Sequence, residues 1–245
     1  MDGYLILVLV ALLLVAFLYS SVGHGGASGY LAIMALLGFA PAVMKSSALV
    51  MNLAVSLISF LGFYRAGFFR WKLFWPFAIA SIPLAYVGGT MSLPDDLYKK
   101  ILAGCLLISI GRMVYKFSGE QANHQEPALI LTLISGSIIG LISGMIGIGG
   151  GIILSPLILL MGWATIKETA ATSALFIFVN SLSGLLGLYQ QGGIQFTPEL
   201  NYAVMATIMG GLIGSYYGSK KFNVPTLRYL LAAGLIIASF KLLFS

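Results

Sequence analysis

Charge is scarce in this 245-residue chain. Asp, Glu, Lys and Arg together make up 8%, against roughly 25% in an ordinary soluble domain. Hydrophobic residues make up 59% and the mean hydropathy is +1.00, more apolar surface than a soluble domain of this size could bury. The acids are Asp2, Asp95, Asp96, Glu120, Glu126, Glu168 and Glu199, all at the ends of apolar segments or between them. The absence of mid-span carboxylates argues against a relay of buried acids, a divalent-metal transporter and a paired-aspartate intramembrane protease. A single cysteine, Cys105, excludes a disulfide framework within the chain. With only two histidines, His24 and His124, and no His-Glu-x-x-His, zinc hydrolysis is not expected. The thirteen Lys and Arg residues are scattered and make no dense basic face for nucleic acid. The pI of 9.4 reflects few acids rather than many bases.

What is present is a series of long apolar runs, which favour membrane helices over a barrel, because barrel strands alternate in short segments. The first run, Leu5 to Tyr19, has the length of a signal core, but it is preceded by Asp2 and by no Lys or Arg. It therefore reads as part of the mature fold.

The chain also compares well with itself. Ser21-Val22-Gly23-His24-Gly25-Gly26-Ala27 matches Met145-Ile146-Gly147-Ile148-Gly149-Gly150-Gly151, Gly38 falls on Gly162, and Ala40 on Ala164. After a short gap, Gly62 to Gly67 matches Gly187 to Gly192; after another, Tyr86 falls on Tyr216, Gly88 on Gly218, Gly104 on Gly234 and Ser109 on Ser239. This order predicts a first membrane repeat over 1–116, a polar linker over 117–127 and a second repeat over 128–245. Each repeat has five apolar segments, about 4–22, 28–39, 45–64, 73–92 and 97–116, then about 128–146, 151–163, 169–189, 199–218 and 225–244. The second segment of each is far below the roughly 20 residues that a span needs and directly follows a glycine cluster. A short helix after such a break predicts a re-entrant element whose irregular backbone faces protein or water.

The cations predict an orientation. Arg65, Arg70 and Lys72 place the loop after the third segment inside, whereas the matching loop from Gln190 to Pro198 has no Lys or Arg and reads as outside. Lys220, Lys221 and Arg228 place the next second-half loop inside, and Arg112 and Lys116 place the linker inside. Lys167 joins the inside set, while Lys45, Lys99, Lys100 and Lys241 fall outside. These assignments agree if each repeat is a returning hairpin followed by three spanning helices, which inverts the second copy and leaves both termini outside. A parallel repeat of four full spans per half would instead put loops of opposite cation content on one side.

The expected fold is therefore an all-α integral membrane protein of two inverted repeats, each a Gly-broken re-entrant helical hairpin followed by three spanning helices. Such repeats place their site near the midplane, at discontinuous helices. The candidates are Gly23, His24, Gly25, Gly26 and Ala27 in the first cluster and Gly147, Gly149, Gly150 and Gly151 in the second. Helices starting there offer unpaired N–H groups and partial positive charge, so two facing starts suit a small anion. The competing reading is tight packing of small residues between membrane helices. His24 could bind the anion, carry a proton, or be a neutral hydrogen-bonded residue, and Ile148 replaces it in the second half. In the third segments Ser47 aligns with Thr172 and Ser56 with Ser181, and Asn52 and Asn180 lie near mid-segment. The asparagines could donate to a substrate or bond between helices. Lys45 and Lys167 precede the third segments and either draw in anions or snorkel.

These residues carry a family resemblance. Two Gly-rich breaks each follow an apolar helix, a Ser/Thr-containing helix follows, as in Ala170-Ala171-Thr172-Ser173-Ala174, and Tyr-x-x-Gly recurs at Tyr64 to Gly67 and Tyr189 to Gly192. The pattern resembles the sulfite exporter TauE/SafE family of membrane permeases over nearly the whole chain, the second half more closely. The resemblance implies movement of sulfite, thiosulfate or organosulfonates across the cytoplasmic membrane, with Thr172 and Ser173 added to the candidate site. A non-transporting scaffold or receptor, or an intramembrane enzyme, is the alternative. The expected partners are a small anionic substrate and the lipid bilayer, with room for a homo-oligomer; no nucleic acid and no cofactor are expected.

Overall fold

The computed structural model describes residues 3–114, 127–194, 198–220 and 225–244. The expected linker, apart from Pro127, lies outside the described residues, as do Lys116, His124 and Lys221 and the side chains of Arg112, Lys220 and Arg228. The described residues form ten helices: α1 (Gly3–Ser20), α2 (Ala27–Leu36), α3 (Pro41–Arg65), α4 (Trp71–Thr90), α5 (Asp95–Val114), α6 (Leu129–Ile146), α7 (Gly151–Leu160), α8 (Ile166–Gln190), α9 (Pro198–Lys220) and α10 (Pro225–Phe244). They follow the ten apolar segments in number and order. Helices α3, α4, α6 and α8 are long and apolar enough to cross a membrane.

Local chemistry sets the helix ends. Pro41 opens α3 at a position where its missing N–H costs no hydrogen bond. Thr165 caps α8 in a capping box: its backbone N–H donates to Glu168 Oε2 at 2.8 Å, and Glu168 N–H donates to Thr165 Oγ1 at 3.4 Å. Helices α2 and α7 stop at the aligned Gly38 and Gly162. Phe39 N–H reaches back to Met34 O at 3.0 Å and Trp163 N–H to Ile158 O at 3.1 Å, the same Schellman closure twice. At ten residues each, the two short helices run about 15 Å, half of a hydrocarbon core of about 30 Å.

Small residues then let backbones approach. On α6, Gly136, Gly140 and Gly144 lie one turn apart against the carbonyls of Phe77, Ser81 and Ala85 on α4. On α9, Gly210, Gly214 and Gly218 lie in the same way against Leu13, Phe17 and Ser21 on α1 and just beyond its end. The helix pairs α4–α6 and α1–α9 thus join the two halves of the chain, and α3 and α8 pack on each other between them. The end of α3 meets the start of α8: Arg70 Nε lies 3.8 Å from Glu168 Oε1 and Lys167 Nζ lies 4.8 Å from the Phe68 ring centre. Helices α3 and α8 therefore run antiparallel. The outward face is apolar, as with Ile130, Ile134 and Ile138 along α6 and Trp75 and Ile79 on α4, all exposed, which suits lipid and not water. The described residues make an all-helical fold, with the apolar exterior of a membrane protein.

Candidate functional site

The two glycine clusters turn the backbone between helices. Gly23 and Gly26 have φ of 78° and 93°, and Gly147, Gly149 and Gly150 have φ of 86°, 76° and 78°, left-handed conformations that a side chain resists. Gly26 and Gly150 are the residues before α2 and α7, and neither helix start carries a side-chain cap. The N–H groups of the first turns, beginning at the buried Ala27 and Gly151, thus keep the donor capacity and partial positive charge of a helix N-terminus. Each break packs on the third helix of the other half, α8 or α3. A side chain at Gly23 would begin 2.4 Å from Ala170 Cα, and one at Gly147 would begin 2.9 Å from Lys45 O.

Asn52 on α3 and Ile177 on α8 stand between the two breaks. A Cβ at Gly25 would lie 2.6 Å from Asn52 Oδ1 and 3.0 Å from Ile177 Cγ2; a Cβ at Gly149 would lie 3.0 Å from Asn52 Nδ2 and 2.7 Å from the same methyl group. Gly151 also approaches Ile177. In the register that aligns Ser47 with Thr172 and Ser56 with Ser181, Asn52 and Ile177 occupy equivalent positions. One amide and one methyl group therefore face the same pair of glycines.

Asn52 is fully buried, and neither its Oδ1 nor its Nδ2 has a hydrogen-bonding protein partner. The same holds for the hydroxyls of Ser181, Thr172, Ser143 and Tyr30. Ser181 Oγ lies 3.1 Å from a Cβ at Gly149, and Tyr30 Oη lies 2.6 Å from one at Gly26. A buried polar group left unpaired costs about 1–3 kcal/mol, so Asn52, Ser181, Ser143 and Tyr30 beside two uncapped helix starts are a feature that packing alone does not favour.

His24 is buried in a chain of hydrogen bonds. Its Nδ1 lies 2.9 Å from Val22 O and must donate there; its Nε2 lies 2.9 Å from Ser155 Oγ, which lies 2.7 Å from Ser173 Oγ. With His24 neutral, Ser155 donates to Nε2 and can accept from Ser173. Ser173 thereby joins His24 through a residue that the sequence did not single out. Ser47 is buried in α3. Asn180 Nδ2 donates to Phe176 O at 2.8 Å within its own helix, while its Oδ1 has no protein donor. The two asparagines thus differ: Asn52 has its whole amide unpaired and Asn180 only its carbonyl. Lys45 is buried and donates to the carbonyls of Gly88, Gly89 and Met91 at 3.2–3.4 Å, so its charge neutralises the C-terminal end of α4. Neither of the two roles expected for it, anion guidance or snorkelling, describes that placement.

A family model for the sulfite exporter TauE/SafE matches residues 8–242. The chain belongs to the sulfite exporter TauE/SafE family. Probable membrane transporter protein y4hK of Sinorhizobium fredii is 37% identical, the match covering 99% of this chain and 100% of the relative. Probable membrane transporter protein YjnA of Bacillus subtilis is 24% identical over 94% of this chain and 96% of the relative. Sulfite exporter TauE/SafE family protein 6 of Arabidopsis thaliana is 29% identical over 51% of this chain and 31% of its own length. No solved structure matches. As a TauE/SafE protein the chain is a membrane transporter of the permease type, and the clustered residues stand in that setting.

Tyr30, Ser143, Ser155 and Ile177 were not expected at the site. The register already in the sequence pairs Ile177 with Asn52, and it marks Ser181 through Ser56; no sequence signal brings Tyr30, Ser143 or Ser155 to the breaks.

Proposed function

We propose that this protein carries small anions, sulfite or other small sulfur-containing anions such as thiosulfate and organosulfonates, across the cell membrane by alternating access. The site lies near the midplane where the two glycine breaks meet, with Gly25, Gly26, Gly149, Gly150 and Asn52 as its central residues and Ser181 and Thr172 as added donors. The observation that carries this reading is the unpaired Asn52 amide wedged between Gly25 and Gly149. Helices without mid-span carboxylates among the described residues, unpaired donors at Asn52 and Ser181 and two helix N-termini favour a negative ligand.

The two repeats, 1–116 and 128–245, are read as inverted, with both termini outside. Support comes from the antiparallel course of the aligned helices α3 and α8 and from the exchange of partners between halves, α1 on α9 and α4 on α6. Repeats of opposite orientation give a natural basis for rocking one half against the other.

Purified protein in proteoliposomes is expected to move at least one of sulfite, thiosulfate, a sulfonate or sulfate faster than protein-free vesicles, assayed with and without a proton gradient. Flux of none of them would refute the transport reading. For orientation, Gln191→Cys should label from outside and Lys72→Cys from inside; both labelling from one side would refute the inversion.

A further inference from the structure

We infer that the site selects monoanions that carry one neutral end, such as small alkylsulfonates, over dianions of the same size. This inference rests on the transport reading and names its substrate class more closely. The first argument is charge. Each helix N-terminus contributes roughly half a positive charge, so the starts of α2 and α7 together balance about one negative charge.

Among the described residues, Lys45, His24, Arg70 and Lys167 are each committed elsewhere. Lys45 Nζ sits among the carbonyls of Gly88, Gly89 and Met91. His24 Nδ1 is held by Val22 O and its Nε2 by Ser155. Arg70 and Lys167 lie where the end of α3 meets the start of α8, with Glu168 and Phe68. A dianion would keep a second charge uncompensated among buried residues, which is strongly unfavourable.

The second argument is shape and polarity. The equivalent positions on α3 and α8 are Asn52 and Ile177, and both face Gly25 and Gly149. The fully buried, unpartnered Asn52 amide offers hydrogen bonds from α3, and the Ser181 hydroxyl adds one from α8, one turn beyond Ile177. The Ile177 methyl groups, at the position equivalent to the amide, offer none, so an oxygen placed against them would lose its hydration without replacement. A methyl group placed there loses nothing. Methanesulfonate meets both conditions with three oxygens and one methyl group; sulfate, with the same tetrahedral shape, meets neither.

The test is uptake of labelled methanesulfonate and sulfate into the same proteoliposomes of the full chain, with the membrane potential clamped at zero. Methanesulfonate is expected to enter at least tenfold faster than sulfate. Sulfate entering as fast as methanesulfonate would overturn the charge selection while leaving transport standing; entry of neither, nor of sulfite or thiosulfate, would overturn the transport reading and this inference with it. Ile177→Asn, which places a second amide opposite the first, is expected to raise the sulfate-to-methanesulfonate ratio at least threefold. Because the ratio is taken within one vesicle population, it does not depend on how much variant protein folds. An unchanged ratio in active vesicles would overturn the part assigned to Ile177.

Discussion

The glycines of α6 and α9 and those ahead of α2 and α7 are the same residue under opposite constraints. Gly136, Gly140 and Gly144 are helical and lie against backbone carbonyls of α4. Gly26, Gly149 and Gly150 are left-handed, interrupt the helices, and lie against side chains, polar and apolar, and not against backbone. The first group lacks a side chain so that two helices can touch. The second lacks one so that the chain can turn and leave helix N–H groups uncovered. Packing accounts for the first group, and the site proposed above rests on the second.

The comparison is broken most severely at a packing glycine. A Cβ at Gly144 would lie 2.0 Å from Ala85 O and 2.8 Å from Gly89 N, and neither atom can rotate away. Gly144→Leu should exceed the roughly 1–3 kcal/mol of ordinary overpacking and remove most of the monodisperse protein from a size-exclusion profile in detergent. A normal profile would show that α4 and α6 can separate without loss.

At Gly25 the expected damage moves from folding to transport. Its φ is not left-handed, and the nearest obstacle to a methyl group is the end of the Asn52 side chain at 2.6 Å. Gly25→Ala should therefore leave the amount of folded protein within about twofold, since only side-chain ends, the Asn52 amide and an Ile177 methyl group, must shift, while anion uptake falls at least tenfold. Folded protein with full uptake would move the site away from the breaks. Gly26→Val is a poorer test, because a β-branched residue at φ 93° adds backbone strain to any effect on the site.

Asn52→Leu sharpens the same contrast with a smaller change. A buried amide without partners costs about 1–3 kcal/mol, so removing it should raise the thermal midpoint even as uptake drops severalfold. Stability gained as function is lost is the mark of a group kept for a ligand. A lower midpoint would mean that Asn52 serves packing after all.

The sequence made much of this legible for a physical reason: glycine positions and segment lengths are local properties. The aligned Gly38 and Gly162 are both helix stops, and the two short segments are both ten-residue helices. The i, i+4 spacing of Gly136, Gly140 and Gly144 is equally visible, but the carbonyls that fill it belong to α4, a tertiary fact. The same limit explains Lys45. A lysine near a helix start suggests an anion guide or a snorkelling end, and nothing local reveals that three carbonyls at the end of α4 surround it. Ser155 and Tyr30 were missed because a hydroxyl in an apolar helix acquires meaning only from what it meets.

Gly38 and Gly162 offer the mildest and cleanest contrast. Both are left-handed, at φ of 78° and 66°, yet a Cβ at either would meet nothing within 4 Å. They share the backbone conformation of Gly26, Gly149 and Gly150 without their surroundings. Gly38→Ala should cost about 1 kcal/mol, the price of a side chain in the left-handed region, read as a small fall in the thermal midpoint. Uptake per folded molecule should stay unchanged. If Gly38→Ala reduced uptake as strongly as Gly25→Ala, the backbone turn itself would control transport, and the side chains gathered at the breaks would not. If only Gly25→Ala reduced it, the decisive feature of the breaks would be what a methyl group displaces there, the space shared by Asn52, Ile177 and the opposite glycine.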